Sequence, residues 1–147
     1  MIFRLWTVPK HRRTATGLFM RKQMLDWLWV AIGGAAGSLM RYGTVIAIQR
    51  MTKSEFPLAT LVVNIVGSFI IGWLAFQVNE RDFMSIEVRL VVMVGILGGF
   101  TTFSTFSLET LRLIQGGGWP VAAANIMLSV AGGLLAAWAG FSIASAA

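Results

Sequence analysis

The chain contains no cysteine, so disulfides, thiolate nucleophiles and cysteine-ligated metals are excluded, and the redox compartment is left open. It has one histidine, His11, placed in a basic leading segment, which removes most histidine acid–base chemistry. No nucleophile–base pair and no metal-ligand cluster is visible, which sets enzyme activity last among the functional classes. Charge is scarce as well. Only 12% of the 147 residues are charged, 56% are hydrophobic and the mean hydropathy is +0.75. A water-soluble domain of this size cannot hide so much apolar surface. The composition implies one small membrane-embedded unit.

The formal net charge of +6 raises the possibility of nucleic-acid binding, but its distribution removes it. Half of the twelve basic residues (Arg4, Lys10, Arg12, Arg13, Arg21 and Lys22) precede Asp26, and the remaining six face six acidic residues. The body is therefore electrically balanced and carries no nucleic-acid footprint. The division is a basic arm, 1–25, expected to be disordered on anionic headgroups or to lie upstream of a start at Met20 or Met24, and a four-helix transmembrane domain, 26–147. The arm lacks the apolar core of about 7 to 15 residues that a secretory signal needs.

A spanning helix takes about 20 mostly apolar residues. Four such stretches are present, near 27–49, 57–78, 88–114 and 119–144, separated by short polar connections. Trp27, Trp29 and Trp119 suit an interfacial aromatic belt. With loops this short, function must reside on the faces the helices turn to one another. Small and polar residues recur there at steps of four: Gly33, Gly37 and Arg41; Thr60, Asn64, Ser68 and Gly72; Asn125, Ser129 and Gly133. For the glycines, close helix packing accounts for the pattern. An amide or guanidinium in hydrocarbon is costly without a partner or water, so Asn64 and Arg41 need another account. Asn64 sits mid-segment, where it lines an ion pathway or makes an interhelical hydrogen bond. Arg41 lies late in its segment, and a structural role, reaching the interface or a carbonyl end, is favoured for it.

The third segment carries Gly98-Gly99-Phe100-Thr101-Thr102-Phe103-Ser104-Thr105-Phe106-Ser107, a run that a lipid anchor does not require. Adjacent glycines followed by β-branched threonines weaken a helix at its middle, which predicts a break. Irregular backbone in a bilayer persists only where protein, water or an ion meets its polar groups. Carbonyls freed at Gly98 and Thr101 would suit a hard monovalent cation if other oxygens completed the shell. One chain offers too few. Phe103 and Phe106, three residues apart, fall on nearly the same face among the hydroxyls of Thr102, Ser104, Thr105 and Ser107. They are either packing groups or phenyl edges, electropositive at the rim, that face a small anion without trapping it.

The run from Gly98 to Glu109, with Gly33 to Arg41 and Thr60-Leu-Val-Val-Asn64, closely resembles the signatures of the Fluc/CrcB fluoride channels. The resemblance extends from about Trp27 to the carboxyl terminus and leaves out the arm. It implies an all-α membrane fold of four transmembrane helices, the third broken near its centre, paired as an antiparallel dual-topology homodimer with two fluoride pores in the inner (plasma) membrane. By similarity Phe103 and Phe106 are pore-lining, Asn64 is the pore asparagine, and Gly98 and Thr101 give carbonyls to a central structural sodium. Thr102, Ser104 and Thr105 match hydroxyl positions of the broken helix, and Ser129 matches a polar-track serine of the fourth. The chain departs from the pattern at Asn125, where tyrosine or histidine is frequent, and at Gly133, where a further hydroxyl is common.

Two other readings compete. A small multidrug-type exporter can also be a four-helix dual-topology dimer, but it wants an acid deep in the first helix; here Asp26 is at the edge and Glu109 lies in the third segment. A non-transporting membrane assembly subunit would leave Asn64 and the hydroxyl-rich break without purpose. Loop charge bears on topology, since basic residues favour the cytoplasmic side. Arg50, Lys53 and Arg112 fall on one side and Arg81 and Arg89 on the other, while the arm adds six basic residues to the second side. The expected outcome is that the full chain inserts mainly one way and a chain starting at Met24 inserts both ways, as read by the accessibility of terminal tags. A single orientation for both chains rules out dual topology.

Overall fold

In hydrocarbon every backbone N–H and C=O must find a partner within the protein, and helices do this within one segment. A computed structural model of the protein describes residues 16–81 and 84–147, and among these there are helices and no strands. Helix α1 is Thr16–Met51, α2 is Leu58–Arg81, α3 covers 86–100, α4 is Phe103–Gln115 and α5 is Trp119–Ala146. Helices α3 and α4 are two halves of one crossing, so the chain has four spans: Gln23–Met51, Leu58–Asn79, Ile86–Gln115 and Trp119–Ala146. It is a multi-pass membrane protein. The predicted segments agree with these spans to within a few residues. Helix α1 reaches back to Thr16, into the segment read as the basic arm; residues 1–15 lie outside the described part.

Local chemistry sets the helix ends. Ser85 caps α3, its hydroxyl accepting from the Val88 N–H at 3.4 Å, and Glu87 sits in the first turn, where the helix dipole favours an acid. Between α4 and α5 the three glycines form a Schellman closure. Gly117 takes φ +80°, Gly118 N–H donates to Leu113 C=O at 2.8 Å and Gly117 N–H to Ile114 C=O at 3.0 Å. Pro120 then opens α5, where its missing N–H costs nothing.

Between Leu90 and Leu97, α3 is wound as a π-helix, with hydrogen bonds one residue longer than the α pattern. Val91, Val92, Val94 and Ile96 in this stretch are β-branched and hold the α register weakly. The glycine stripe of α1 lies against it. A Cβ on Gly33 would run into the Val91 carbonyl, one on Gly37 into the Ile96 carbonyl, and one on Gly95 would stand 2.7 Å from the Gly33 Cα. Helices α2 and α5 approach as closely: a Cβ on Gly72 would strike the Ala137 carbonyl and one on Gly140 the Phe69 carbonyl. Lipid provides no hydrophobic drive between helices, so backbone approach of this kind supplies the packing contacts.

The protein therefore consists of two tight pairs, α1 with α3 and α2 with α5. Leu74 and Val78 of α2 meet Met93 and Leu97 of α3 to join them. Trp27, Trp29 and Trp119 are exposed near the starts of their spans, as an aromatic belt requires. Substituting Gly37 with Ala should cost about 1–3 kcal/mol by overpacking against backbone that cannot retreat. Gly43→Ala, which meets nothing within 4 Å, should instead raise stability by about 0.5–1 kcal/mol, since alanine holds a helix better than glycine. Thermal unfolding of the two variants in detergent checks the contrast.

Candidate functional site

The break in the third span is two residues long. Thr101 is extended at φ −77°, ψ 155°, and Thr102 at φ −151°, ψ 117°, so the helical ladder stops at Phe100 and restarts at Phe103. Asn64 of α2 repairs the gap. Its Oδ1 accepts from the Thr102 N–H at 2.8 Å and its Nδ2 donates to the Thr102 C=O at 3.0 Å. The side-chain amide thus exchanges two hydrogen bonds with one residue's main chain, as a neighbouring strand would. The interhelical bond considered for Asn64 is present, and the residue also lines a groove described below.

Repairing Thr102 releases other groups. In an unbroken helix its N–H would serve the Gly98 carbonyl, and it goes to Asn64 instead. The Thr105 N–H would serve the Thr101 carbonyl, but donates to Thr102 Oγ1 at 3.2 Å, capping α4. Neither the Gly98 nor the Thr101 carbonyl is therefore held in the helical ladder. Neutral carbonyl oxygens are the kind of donor a hard monovalent cation takes, but these two are too few to complete its shell. Gly98 is exposed on the surface of the single chain.

The hydroxyls of the break are linked to one another. Thr102 Oγ1 lies 3.0 Å from Thr105 Oγ1 and 3.2 Å from Ser104 Oγ, while Thr101 Oγ1 donates back to the Leu97 C=O at 2.9 Å. A groove of about 510 Å³ opens beside them, between α2, the break and α5. Asn64, Gly98, Thr101, Thr102, Phe103, Phe106 and Ser129 all line it, and no charged side chain among the described residues does. The two phenyl rings touch, their centroids 5.4 Å apart at 48°. They differ in setting, however, since Phe106 is buried and Phe103 is 77% exposed.

The remaining site residues lie elsewhere. Ser104 is exposed, and Thr105 and Arg41 line a second cavity of about 400 Å³ together with Ser38, Thr60 and Thr102. Thr102 is the residue common to both cavities. Arg41 is half-buried and stands among hydroxyls. Glu109 lines neither cavity, and its Oε2 is buried without a hydrogen-bond partner among the described residues.

One functional contact was not anticipated. Thr110, buried in α4, donates its hydroxyl to the Phe106 C=O at 2.7 Å and accepts from Asn125 Nδ2 of α5 at 2.9 Å; Ser129 Oγ donates to Asn125 Oδ1 at 3.4 Å. The signal lay in the spacing, since Thr110 follows Phe106 by four residues and shares its face.

Four spans, a break repaired by a side-chain amide and an uncharged groove running through it define a membrane protein whose chemistry is conducted inside the bilayer. Residues 28–141 match the family described as CrcB-like protein, Camphor Resistance (CrcB), and the chain belongs to it. The chain is 41% identical over 121 residues to the fluoride-specific ion channel FluC of Sorangium cellulosum (strain So ce56), covering 82% of this chain and 95% of that one. It is 48% identical over 114 residues to the fluoride-specific ion channel FluC of Pseudomonas fluorescens (strain Pf0-1), covering 78% and 92%. The protein of that name from Paramagnetospirillum magneticum is 48% identical over 119 residues, covering 80% and 93%.

The Asn64 exchange predicts a stability effect separable from any role in transport. Asn64→Leu leaves two buried backbone groups unmet and should destabilise the protein by about 2–4 kcal/mol. Ser68→Ala, one turn along the same face with no part in the exchange, should be neutral in the same unfolding measurement.

Proposed function

We propose that the protein is a fluoride-specific channel of the inner (plasma) membrane, through which cytoplasmic fluoride leaves passively by pores formed in an antiparallel homodimer. Membership of a family whose similar members are named fluoride-specific ion channels supports the ion, and the uncharged groove supports the mechanism. A conduction path must bind an ion well enough to strip its water and weakly enough to let it go. A lysine or arginine in the groove would hold a small hard anion too tightly. Instead the groove offers the Asn64 amide, the Thr102 and Ser129 hydroxyls and the electropositive edges of Phe103 and Phe106. Each is a partial charge. Arg41, in the neighbouring cavity, places a full positive charge near the route without standing in it, which raises the local anion concentration. Ser104 and Thr105 act through Thr102, sharing its hydroxyl.

A second copy of the chain completes the site in this reading. Phe103, largely exposed, and Gly98, at the surface of the break, are positions a partner would cover. The Gly98 and Thr101 carbonyls of two chains would hold a structural sodium, which would supply the fixed charge that keeps four carbonyl dipoles together. A proton-coupled exporter is less well supported, because Glu109 lines neither cavity.

Purified protein in liposomes should release fluoride passively and discriminate strongly against chloride, as read by ion-selective electrodes. No fluoride efflux, or equal efflux of chloride, overturns the assignment. Replacing Phe103 or Phe106 with Ile keeps bulk and removes the aromatic edge. Both variants should assemble as the parent does and lose most of their fluoride flux, whereas normal conduction in both would refute the role of the rings.

A further inference from the structure

The chain of hydrogen bonds from Ser129 to Phe106 has a direction. Thr110 has one hydroxyl proton and gives it to the Phe106 carbonyl, so its oxygen accepts from the Asn125 Nδ2. The Asn125 oxygen then faces Ser129 and takes that residue's proton. In this arrangement Ser129, at the wall of the groove, has its proton engaged in the protein and presents lone pairs to the groove. Lone pairs repel an anion.

A second arrangement satisfies the same groups. Nitrogen and oxygen of an asparagine amide are equal in shape, so a half-turn about the Cβ–Cγ bond exchanges them without moving the backbone. Asn125 Nδ2 would then donate to Ser129 Oγ, and Thr110 would give its proton to Asn125 Oδ1. The Phe106 carbonyl would lose its second donor and keep its place in the helical ladder. Ser129 would be free to point its proton into the groove, with its oxygen polarised by the incoming amide hydrogen bond. The contact lengths suit such an exchange, because the Ser129 link is the longest of the three at 3.4 Å against 2.9 and 2.7 Å. Burial confines the choice to these two states. Asn125 is 1% exposed and Thr110 7%, so the chain itself must supply the alternative partners.

We infer that Asn125 is a two-position amide relay, whose orientation decides whether Ser129 offers lone pairs or a proton to the groove. It is a positioning residue and does not touch the ion. An anion in the groove favours the proton-offering state, and by linkage that state favours the anion. The relay rests on the fluoride reading above, and it gives Asn125 a role that needs no direct contact with fluoride.

The test uses the full chain in lipid nanodiscs, with the Asn125 side-chain amide followed by 1H–15N spectroscopy during titration with sodium fluoride and, separately, sodium chloride. Fluoride should move both Asn125 amide-proton resonances in the parent protein, and chloride should leave them in place. In Ser129→Ala the fluoride-induced shift should vanish, and in Ser129→Thr, which keeps the hydroxyl, it should persist. A shift of equal size in Ser129→Ala would mean that the ion contacts Asn125 directly and would overturn the relay. Liposomes of the parent protein separate the two ideas: fluoride flux with an unmoved Asn125 amide overturns the relay alone, and absence of fluoride flux overturns the reading beneath it.

Discussion

A broken helix in hydrocarbon depends on what meets its loose backbone, and here a single asparagine does so. Asn64 takes both the N–H and the C=O of Thr102. Without that exchange the break would place unmet polar groups in an apolar medium, and the span would anneal into continuous helix or open to water. With it, the extended conformation of Thr101 and Thr102 is the satisfied one. The other features of the site follow: α4 starts afresh with a capped first turn, its phenylalanines stand at that turn, and two carbonyls of the end of α3 are relieved of helical duty.

The four spans were legible because the bilayer imposes a length and a composition, and the polar connections are chemically distinct. The glycine stripe of α1 was legible too, and its cause is direct: Gly33 and Gly37 touch main-chain carbonyls of α3. The break at Thr101 and Thr102 could be anticipated from paired glycines and β-branched threonines, although these say only that the helix is weak there. What occupies the gap is a tertiary matter. Asn64 is 38 residues from Thr102, and no local pattern joins them.

Other features could not be read in advance. The π-wound stretch of α3 has the same hydrophobic character as an α-helical one, and its register is decided by packing on α1. Phe103 and Phe106 nearly share a face by their spacing, yet one is exposed and the other buried, since three residues fall about 60° short of a full turn and that offset moves a ring from the interior to the edge. The start of α1 within the basic arm escaped because Arg21 and Lys22 argue against burial while favouring helix as well as most residues do. Asn125 could be named as a departure from the pattern the resemblance implies, but its partner Thr110 lies on another helix, 15 residues away.

The Schellman closure after α4 has a mechanical consequence. Helices α4 and α5 are joined by three glycines locked by their own hydrogen bonds, and Asn125 ties them again a little further along. A link this short and this constrained transmits torque. Helix α5 lies locked along α2 by the backbone contacts at Gly72 and Gly140, so the closure fixes the far end of α4 to that pair while Asn64 of α2 fixes its near end at Thr102. The phenylalanines, in the first turn of α4, therefore ride on a helix pinned at both ends to the same neighbour.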